Sequence, residues 1–489
     1  MSRPQKQALF IGVDLGTTGV RALAATAAGE LVSRAEHRYA SGVSDATAGA
    51  HEQAPAAWRG ALVQTLSRLG NELGVRRADL VAVAVDGTSG TVVPIDKNGS
   101  ILRPALMYND PRARQEAGEL TARAGPWCRE RGYRIEASFA AARIRWIRLH
   151  EPSIFEKTRW FVHQADFATA FLTGQYGTTD FNNALKTGYD LLAESWPPWL
   201  NAEEGVAERL PEVVAPGERV GRICPQAAAA CHLPSGLAVV AGTTDGMAGF
   251  LASGATKPGE DNTSLGTTLI FKRLADKPAV GASGSVYSHK LPAGLWAPGA
   301  ASNTGAAWVE ELFPQSRPPD WDTRAVALLP SPYLAYPLVG TGERFPFVSE
   351  TAVGFGAPDA AEPLARYAAC LQGTALVERR GYEVLDGVAG RSDAPVFSTG
   401  AASRSDPWLQ LRADVCGRCI LRPAHPEAAF GSAVLAASRS YFDTVWEAAA
   451  AMINIERRFE PDSTRARVYD ERHAEFTQLL ADAGYLAAE

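Results

Sequence analysis

The sequence predicts an α/β fold built from two related halves, and three observations carry that prediction. The tetrapeptide Leu-Gly-Thr-Thr occurs twice, at Leu15–Thr18 and Leu265–Thr268, about half a chain apart. Each copy adjoins a strand-like apolar stretch: Leu9-Phe10-Ile11-Gly12-Val13 runs into the first, and Leu269-Ile270-Phe271 leaves the second. At 489 residues the chain also exceeds one typical core, so two to three domains are expected. A Gly-centred turn flanked by hydroxyls at a hairpin tip holds phosphate well. Glycine permits the tight turn and close approach, and successive N–H groups and Thr hydroxyls then face anionic oxygens. Two such tips suggest a duplicated fold that grips one polyphosphate between two domains.

The elements follow in order. Residues 8–13 read as a first strand, Val20–Ala24 as its hairpin return, and Leu31–Tyr39, after the turn at Gly29, as a third strand. Ala54–Gly70 places Trp58, Leu62, Leu66 and Leu69 at helical spacing. Leu80–Val85 is a nearly continuous apolar run, the mark of a buried strand, and Thr91–Ile95 follows before the turn Asp96-Lys97-Asn98-Gly99. Three strands, a helix, then a strand is a mixed α/β half-domain pattern. Leu237–Ala241 is another buried strand, leading through Gly242-Thr243-Thr244-Asp245 into an apolar helix, Gly246–Leu251. The break at Gly254–Gly259 marks a domain boundary. In the second half Pro363–Glu383 and Ala428–Ser438 read as helices, Val396-Phe397-Ser398 as a strand, and the tail from Glu447 as helical.

Composition narrows the class. Hydrophobic residues make up 46% and charged residues 21%, an ordinary globular balance, and the net charge of −6 argues against nucleic acid or an anionic membrane as partner. No apolar run approaches the roughly 20 residues of a membrane span, and Met1–Gln7 is short and polar with no signal-peptide core behind it. Six cysteines in so long a chain do not make a disulfide scaffold, so a reducing, cytoplasmic setting is the expectation. Cys416-Gly-Arg-Cys419 lacks a second pair or histidines for zinc, and reads as two core cysteines on a strand.

Four stretches carry candidate chemistry. Asp14 ends the first strand directly before the first turn. A carboxylate there repels phosphate unless a cation such as Mg²⁺ lies between them; otherwise Asp14 only stabilises the turn. Asp245 follows a buried strand and precedes a helix, which suits either an N-cap or a general base at a strand's carboxyl end. Asp86-Gly87-Thr88-Ser89-Gly90-Thr91 also follows a buried strand and suits a neutral hydroxylated ligand, or is a solvent turn. Ser398-Thr399-Gly400-Ala401-Ala402-Ser403 is small enough to admit a flat ring, or to pack a helix closely on a strand.

These stretches resemble the FGGY carbohydrate kinases, of the actin-like, ribonuclease-H-like ATPase superfamily, over nearly the whole chain. The carriers are Gly12–Thr18, His51-Glu52-Gln53, Tyr108-Asn109-Asp110-Pro111-Arg112, Gly242–Asp245, Thr263–Thr268, Ser302-Asn303-Thr304-Gly305, Gly342–Pro346 and Ala428–Ala433. Within the family, Asp86–Thr91 and Asp180–Lys186 look like the plant and cyanobacterial D-ribulose kinases. The Met-His-Gly usual in xylulose kinases and the Arg-Glu pair of glycerol kinases are missing.

The resemblance implies a two-domain actin-like fold with the active-site cleft between the domains. Residues 1–255 would form a sugar-binding N-terminal domain. Residues 256–489 would form a nucleotide-binding C-terminal domain, with the last helices packing back on the first. It also implies site roles. Asp14, Asp245 and Thr17 would be catalytic, with Asp245 taking the proton from the sugar hydroxyl. Asp14 and Asp245 would hold Mg²⁺ through water. Ser89, Asp245 and Asp14 would meet the sugar. Gly16, Thr17 and Thr18, with Gly266, Thr267 and Thr268, would bind the phosphates of ATP. Gly400, Ala401 and Trp408 would frame the adenine. Related kinases tend to have Gly-Gly-Gly-Ala and an Asn where this chain has Gly400-Ala401-Ala402-Ser403 and Ser405, a departure that crowds the nucleotide pocket.

The expected reaction is transfer of the γ-phosphoryl group of MgATP to a primary hydroxyl of a free ketopentose, foremost D-ribulose. D-xylulose or a pentitol is the alternative substrate, and a non-catalytic sugar-binding actin-like protein the alternative class. The expected partners are a small sugar and ATP, without nucleic acid or membrane, in a monomer or homodimer.

Overall fold

The computed structural model describes residues 7–39, 43–45, 49–281, 284–313 and 318–486. Its contacts divide the chain into two units. The first comprises Met1–Gly254, Lys290–Gly294 and His425–Asn454; the second comprises Ala255–His289, Leu295–Ala424 and Ile455–Glu489. The helices Ala428–Ala437 and Val445–Met452 therefore group with the first unit, whereas the terminal helix Ser463–Asp482 groups with the second. Tyr469, Phe476 and Leu480 of that terminal helix lie in the second unit's core.

In the first unit the apolar runs become a six-stranded sheet in the order Arg219–Arg222, Ala238–Val240, Leu80–Gly87, Leu9–Leu15, Gly19–Thr26, Leu31–Arg38. Leu9–Leu15 and Leu80–Gly87 run parallel, as do Leu80–Gly87 and Ala238–Val240. Strands buried on both faces read as continuous apolar runs, and here a helix covers each face. Pro55–Leu73 supplies Trp58, Leu62, Leu66 and Leu69, all buried. Ala428–Ala437 packs through small residues. A β-carbon at Gly12 would lie 1.8 Å from the Ala429 carbonyl oxygen, and one at Gly431 1.8 Å from that of Ala248. Only glycine allows backbones this close.

The second unit repeats the plan. Its seven-stranded sheet runs Tyr287–Lys290, Trp296–Ser302, Leu269–Arg273, Asp261–Leu265, Val396–Thr399, Ile420–Pro423, Ile455–Phe459. A meander (Asp261–Leu265, Leu269–Arg273, Trp296–Ser302) is again followed by two parallel neighbours and an antiparallel edge strand. The long helix Pro363–Ala389 crosses the core.

Two local expectations are corrected. The tail beyond Glu447 is not helical throughout. Ile455–Phe459 is a strand, because its backbone completes the sheet edge against Ile420–Pro423 even though only Phe459 is buried. Cys416 and Cys419 do not share a strand. Cys416 ends the helix Asp406–Cys416, Gly417 closes it in the left-handed region, and Cys419 precedes the strand. Both thiols are free.

Candidate functional site

Three aspartates stand at the carboxyl ends of three adjacent parallel strands of the first unit. The parallel register pairs Asp14 with Asp86. An additional bridge between Gly87 and Thr244, with the Gly87 N–H donating to the Thr243 carbonyl at 3.3 Å, brings Asp245 beside them. Ligands of open α/β sheets bind at such strand ends.

Their electrostatics are strained in one direction. Asp86 is fully buried. Burial first, and then the charge of Asp14, raises its carboxyl well above the usual carboxylate range, with a smaller push from Asp245. Asp14 is raised by burial and held back by Arg21, whose Nη1 lies 3.1 Å from Asp14 Oδ2. The Ser432 hydroxyl donates to Asp86 Oδ2 at 2.7 Å, while the buried Oδ1 has no hydrogen-bond partner. Facing carboxyls with an unserved buried oxygen fit a divalent cation. Among the described residues no three His, Cys, Asp or Glu side chains form a ready metal cage. The donor set therefore suits an ion that keeps waters and takes phosphate oxygens, which is the habit of Mg²⁺.

Asp245 is the first residue of the helix Asp245–Leu251, and Thr244 occupies the N-cap position. The N-cap alternative for Asp245 is thus set aside. Its Oδ1 accepts the Gly246 N–H at 2.6 Å, and the residue is half-buried rather than locked inside.

The first turn is built to present its amides. The Gly16 N–H bonds to the Gly19 carbonyl at 3.0 Å. The Gly16 carbonyl accepts from the Tyr39 hydroxyl, and that of Thr17 from Gln53 Nε2 at 2.8 Å. Trp58 Nε1 holds Gln53 in turn at 2.7 Å. A trans peptide sets each N–H opposite the carbonyl before it, so the Thr17 and Thr18 amides point away from these anchors. Thr18 is exposed, and Gly16 and Thr17 are half-buried.

Ser89 sits in a loop fastened by Gln164, whose Oε1 accepts from the Thr88 amide at 2.9 Å and the Thr88 hydroxyl at 2.6 Å. The Ser89 hydroxyl is buried without a partner. Asn182 and Asn183 also leave their side-chain oxygens buried and unpartnered. Asn182 Nδ2 donates to Thr243 Oγ1 at 3.1 Å, which ties the Asp180 helix to the strand end of Asp245. Asp110 and Arg112 pair at 2.7 Å, Arg112 also binds Glu52 at 2.6 Å, and its guanidinium stacks on Trp146 at 4.8 Å.

Two further acids, Asp166 and Asp180, are buried beside this network. Burial, reinforced by Asp180, pushes Asp166 up to about 8, and burial pushes Asp180 up to about 6. Asp166 Oδ2 also accepts the His163 N–H at 2.8 Å, one half of a capping box. A raised folded value means that the folded protein holds a proton the unfolded chain releases near pH 4. This contribution to stability is complete below about pH 4 and is lost as pH rises through about 8. The melting temperature should therefore fall between about pH 4 and 8, and Asp166→Asn should flatten that fall. A variant curve parallel to the parent's would show that Asp166 is not responsible.

In the second unit the tip Gly266-Thr267-Thr268 closes on itself, Gly266 N–H to Thr268 carbonyl at 3.0 Å, with Thr267 exposed. Gly400 lies against its base: a β-carbon there would be 2.5 Å from the Leu265 carbonyl oxygen. Ala401 is exposed and begins a short 3₁₀ turn. Trp408 corrects the sequence expectation. It is 3% exposed, its ring packs edge-on against Trp308 at 5.9 Å, and it belongs to the core, so it offers no face to an adenine. Indole burial outweighs surface placement on this amphipathic helix. Ser405, where an Asn was the family expectation, is the N-cap of that helix and accepts the Trp408 N–H at 3.4 Å.

Sequence reasoning named Asp86 only as part of a sugar-facing turn and missed its carboxyl as a partner of Asp14. The signal was present, because both aspartates end a buried apolar run. Tyr39, Gln164 and Ser432 had no such local signal.

Comparison with known proteins gives the family. Residues 9–252 match the model of the FGGY family of carbohydrate kinases, N-terminal domain, and residues 262–440 match that of the C-terminal domain. The chain belongs to the FGGY family of carbohydrate kinases. The xylulose kinase of Escherichia coli (strain K12) is 27% identical over 497 residues, covering 96% of this chain and 98% of that protein. A crystal structure described as a xyloylose kinase from Brucella ovis superposes with a TM-score of 0.88 at 25% identity, over 98% of this chain and 100% of that one. The glycerol kinase of Plasmodium falciparum, solved with ADP, superposes at 0.84 over 99% of both chains; at 15% identity it speaks for the fold alone. Among the described residues no helix is long and apolar enough to cross a membrane.

Proposed function

We propose that this carbohydrate kinase transfers the γ-phosphoryl group of ATP to a primary hydroxyl of a free ketopentose. The observation that supports it most is the convergence of Asp14, Asp86 and Asp245 at adjacent strand ends in a chain of this family. Asp245 is the base for the sugar hydroxyl: it is half-buried at the start of the helix that follows the Gly242–Thr244 strand end, where a positioned carboxylate can meet a bound ligand. Asp14, with Asp245, would hold Mg²⁺ through water; bound there, the ion neutralises charge on the phosphates. The Thr17 and Thr18 amides and hydroxyls steady the phosphoryl group in flight, and Gly266–Thr268 holds the phosphates that stay on ADP. Such transfer passes through a loose transition state, so positioning and charge neutralisation do most of the work.

D-Ribulose is the favoured sugar, supported by the Asp86–Thr91 and Asp180–Lys186 stretches and by the unpartnered Ser89 hydroxyl. D-Xylulose is the second reading, favoured by the names of the relatives in Escherichia coli and Bacillus subtilis. The two sugars differ only in configuration at C3. ADP release measured against a panel of pentoses, ketoses and polyols decides between them. The expected result is turnover with D-ribulose above D-xylulose and little with pentitols. The reverse order selects the second reading, and tight sugar binding with no ADP formed by any sugar would overturn the kinase assignment.

A further inference from the structure

In the second unit a single carboxylate accepts five hydrogen bonds. Glu343 is 4% exposed. Its Oε2 takes the hydroxyls of Ser302 at 2.9 Å, Thr304 at 2.7 Å and Tyr336 at 2.9 Å. Its Oε1 takes the amides of Asn303 at 2.7 Å and Arg344 at 2.9 Å. Asn303 Nδ2 adds a bond to the Gly342 carbonyl at 2.9 Å. All five donors are neutral dipoles, and three of them come from consecutive residues, Ser302, Asn303 and Thr304. That tripeptide is thereby held by its backbone and by two of its side chains.

The tripeptide is not an isolated loop. Ser302 is in register with Leu269, the first residue after the Gly266-Thr267-Thr268 tip. The next two residues support the tip itself. The Ala306 N–H donates to the Gly266 carbonyl at 2.7 Å. Gly305 lies so close that a β-carbon would be 2.5 Å from the Thr267 carbonyl oxygen and 2.7 Å from that of Gly266. With the carbonyls of Gly266 and Thr267 engaged on this side, the following amides are turned to the other. A chain of direct contacts thus runs from the Glu343 carboxylate, through Ser302–Thr304 and Gly305–Ala306, to the backbone of the tip.

We propose that Glu343 is a positioning residue for the nucleotide phosphates, acting through the Ser302–Ala306 loop on the Gly266–Thr268 tip. The proposal rests on the reading that this tip holds the phosphates of ATP. Glu343 touches no substrate. Its charge stays buried because five donors satisfy it, and the loop keeps one conformation because losing the carboxylate leaves those donors without an acceptor. The consequence is selective, since nothing in this chain of contacts involves the strand ends that carry Asp14, Asp86 and Asp245.

The test measures MgADP affinity by calorimetry and separate KM values for ATP and sugar in Glu343→Gln, Gly305→Ala and Thr267→Ala of the full chain. Gln keeps the shape of Glu343 but replaces one acceptor oxygen with a donor. Gly305→Ala pushes on the tip from the middle of the relay, and it decides the matter if Glu343→Gln does not fold. The expected result is an ADP dissociation constant and ATP KM raised about tenfold in Glu343→Gln and Gly305→Ala, the sugar KM within about twofold, and a double variant impaired by less than the product of the two single effects, because neighbours in one network are not additive. Unchanged ADP affinity in folded Glu343→Gln or in Gly305→Ala, with Thr267→Ala impaired, would overturn the relay and leave the reading of the tip intact. Equal losses toward ATP and sugar would make Glu343 a merely structural residue. Unchanged ADP affinity in Thr267→Ala would remove the reading of the tip, and the proposal with it.

Discussion

Asp245→Asn is expected to lower the rate of phosphoryl transfer by about 10² to 10⁴ while the protein stays folded, the range a positioned base contributes. The structure makes this variant a clean probe. Thr244, not Asp245, is the N-cap of the following helix, so no capping interaction is lost. The bond from the Gly246 amide to Asp245 Oδ1, 2.6 Å, is weakened but kept, because an asparagine oxygen still accepts it. What disappears is the capacity to take a proton, together with the carboxylate's charge. The loss should fall chiefly on kcat, because a base acts in the transition state rather than in the bound complex, with a smaller rise in KM from the lost charge that would face Mg²⁺ through water. ADP release at saturating substrates, beside a thermal melt of the same sample, checks it. Turnover near the parent's with an unchanged melt would remove Asp245 as the base and return attention to Asp14 and Asp86.

Glu378→Ala should destabilise the protein by about 3–5 kcal/mol, the usual result of removing one partner from a buried ion pair. Glu378 is 1% and Arg412 0% exposed, joined by two bonds of 2.6 and 2.7 Å. Arg412 Nη1 also donates to the Ser398 hydroxyl at 2.7 Å. Glu378 lies on Pro363–Ala389, Arg412 on Asp406–Cys416, and Ser398 on Val396–Thr399, the strand that leads to Gly400. The pair therefore joins two helices and a strand beneath the segment read as the adenine pocket. Alanine would leave a guanidinium buried with no counter-charge. Replacing both members by apolar residues of similar volume, Glu378→Leu with Arg412→Met, should recover most of the loss, since desolvating the two charges offsets much of what their attraction supplies. Urea denaturation midpoints for the single and double variants measure this. A double variant as unstable as Glu378→Ala would mean that the pair, and not merely the absence of an unpaired charge, stabilises the unit.

Much of the fold was legible because the signals are local. Leu80–Val85 reads as buried strand from six consecutive apolar residues, and it is the centre of the first sheet. Trp58, Leu62, Leu66 and Leu69 announce the covering helix by spacing alone. Trp408 was misread for the converse reason: its spacing marks a helix, but only the packing of Trp308 against it tells which side is inside. The strand Ile455–Phe459 was missed because four of its five residues are exposed and its pairing partner is elsewhere in the chain.

The sequence by itself determined the two hairpin turns, the aspartate before the first of them and the one after the Gly242–Thr244 strand end, because each is a short-range pattern of glycine, hydroxyl and apolar run. Only the tertiary structure decided what those residues meet. Parallel pairing set Asp86 beside Asp14 and made it a raised, buried acid. Ser432 reached Asp86 across 346 residues of chain, and Glu343 reached the second tip through a loop some forty residues before it in sequence. A hydrogen bond acts over a few ångströms of space and a charge effect over about ten, and the order of residues along the chain does not encode those distances until the sheet has closed.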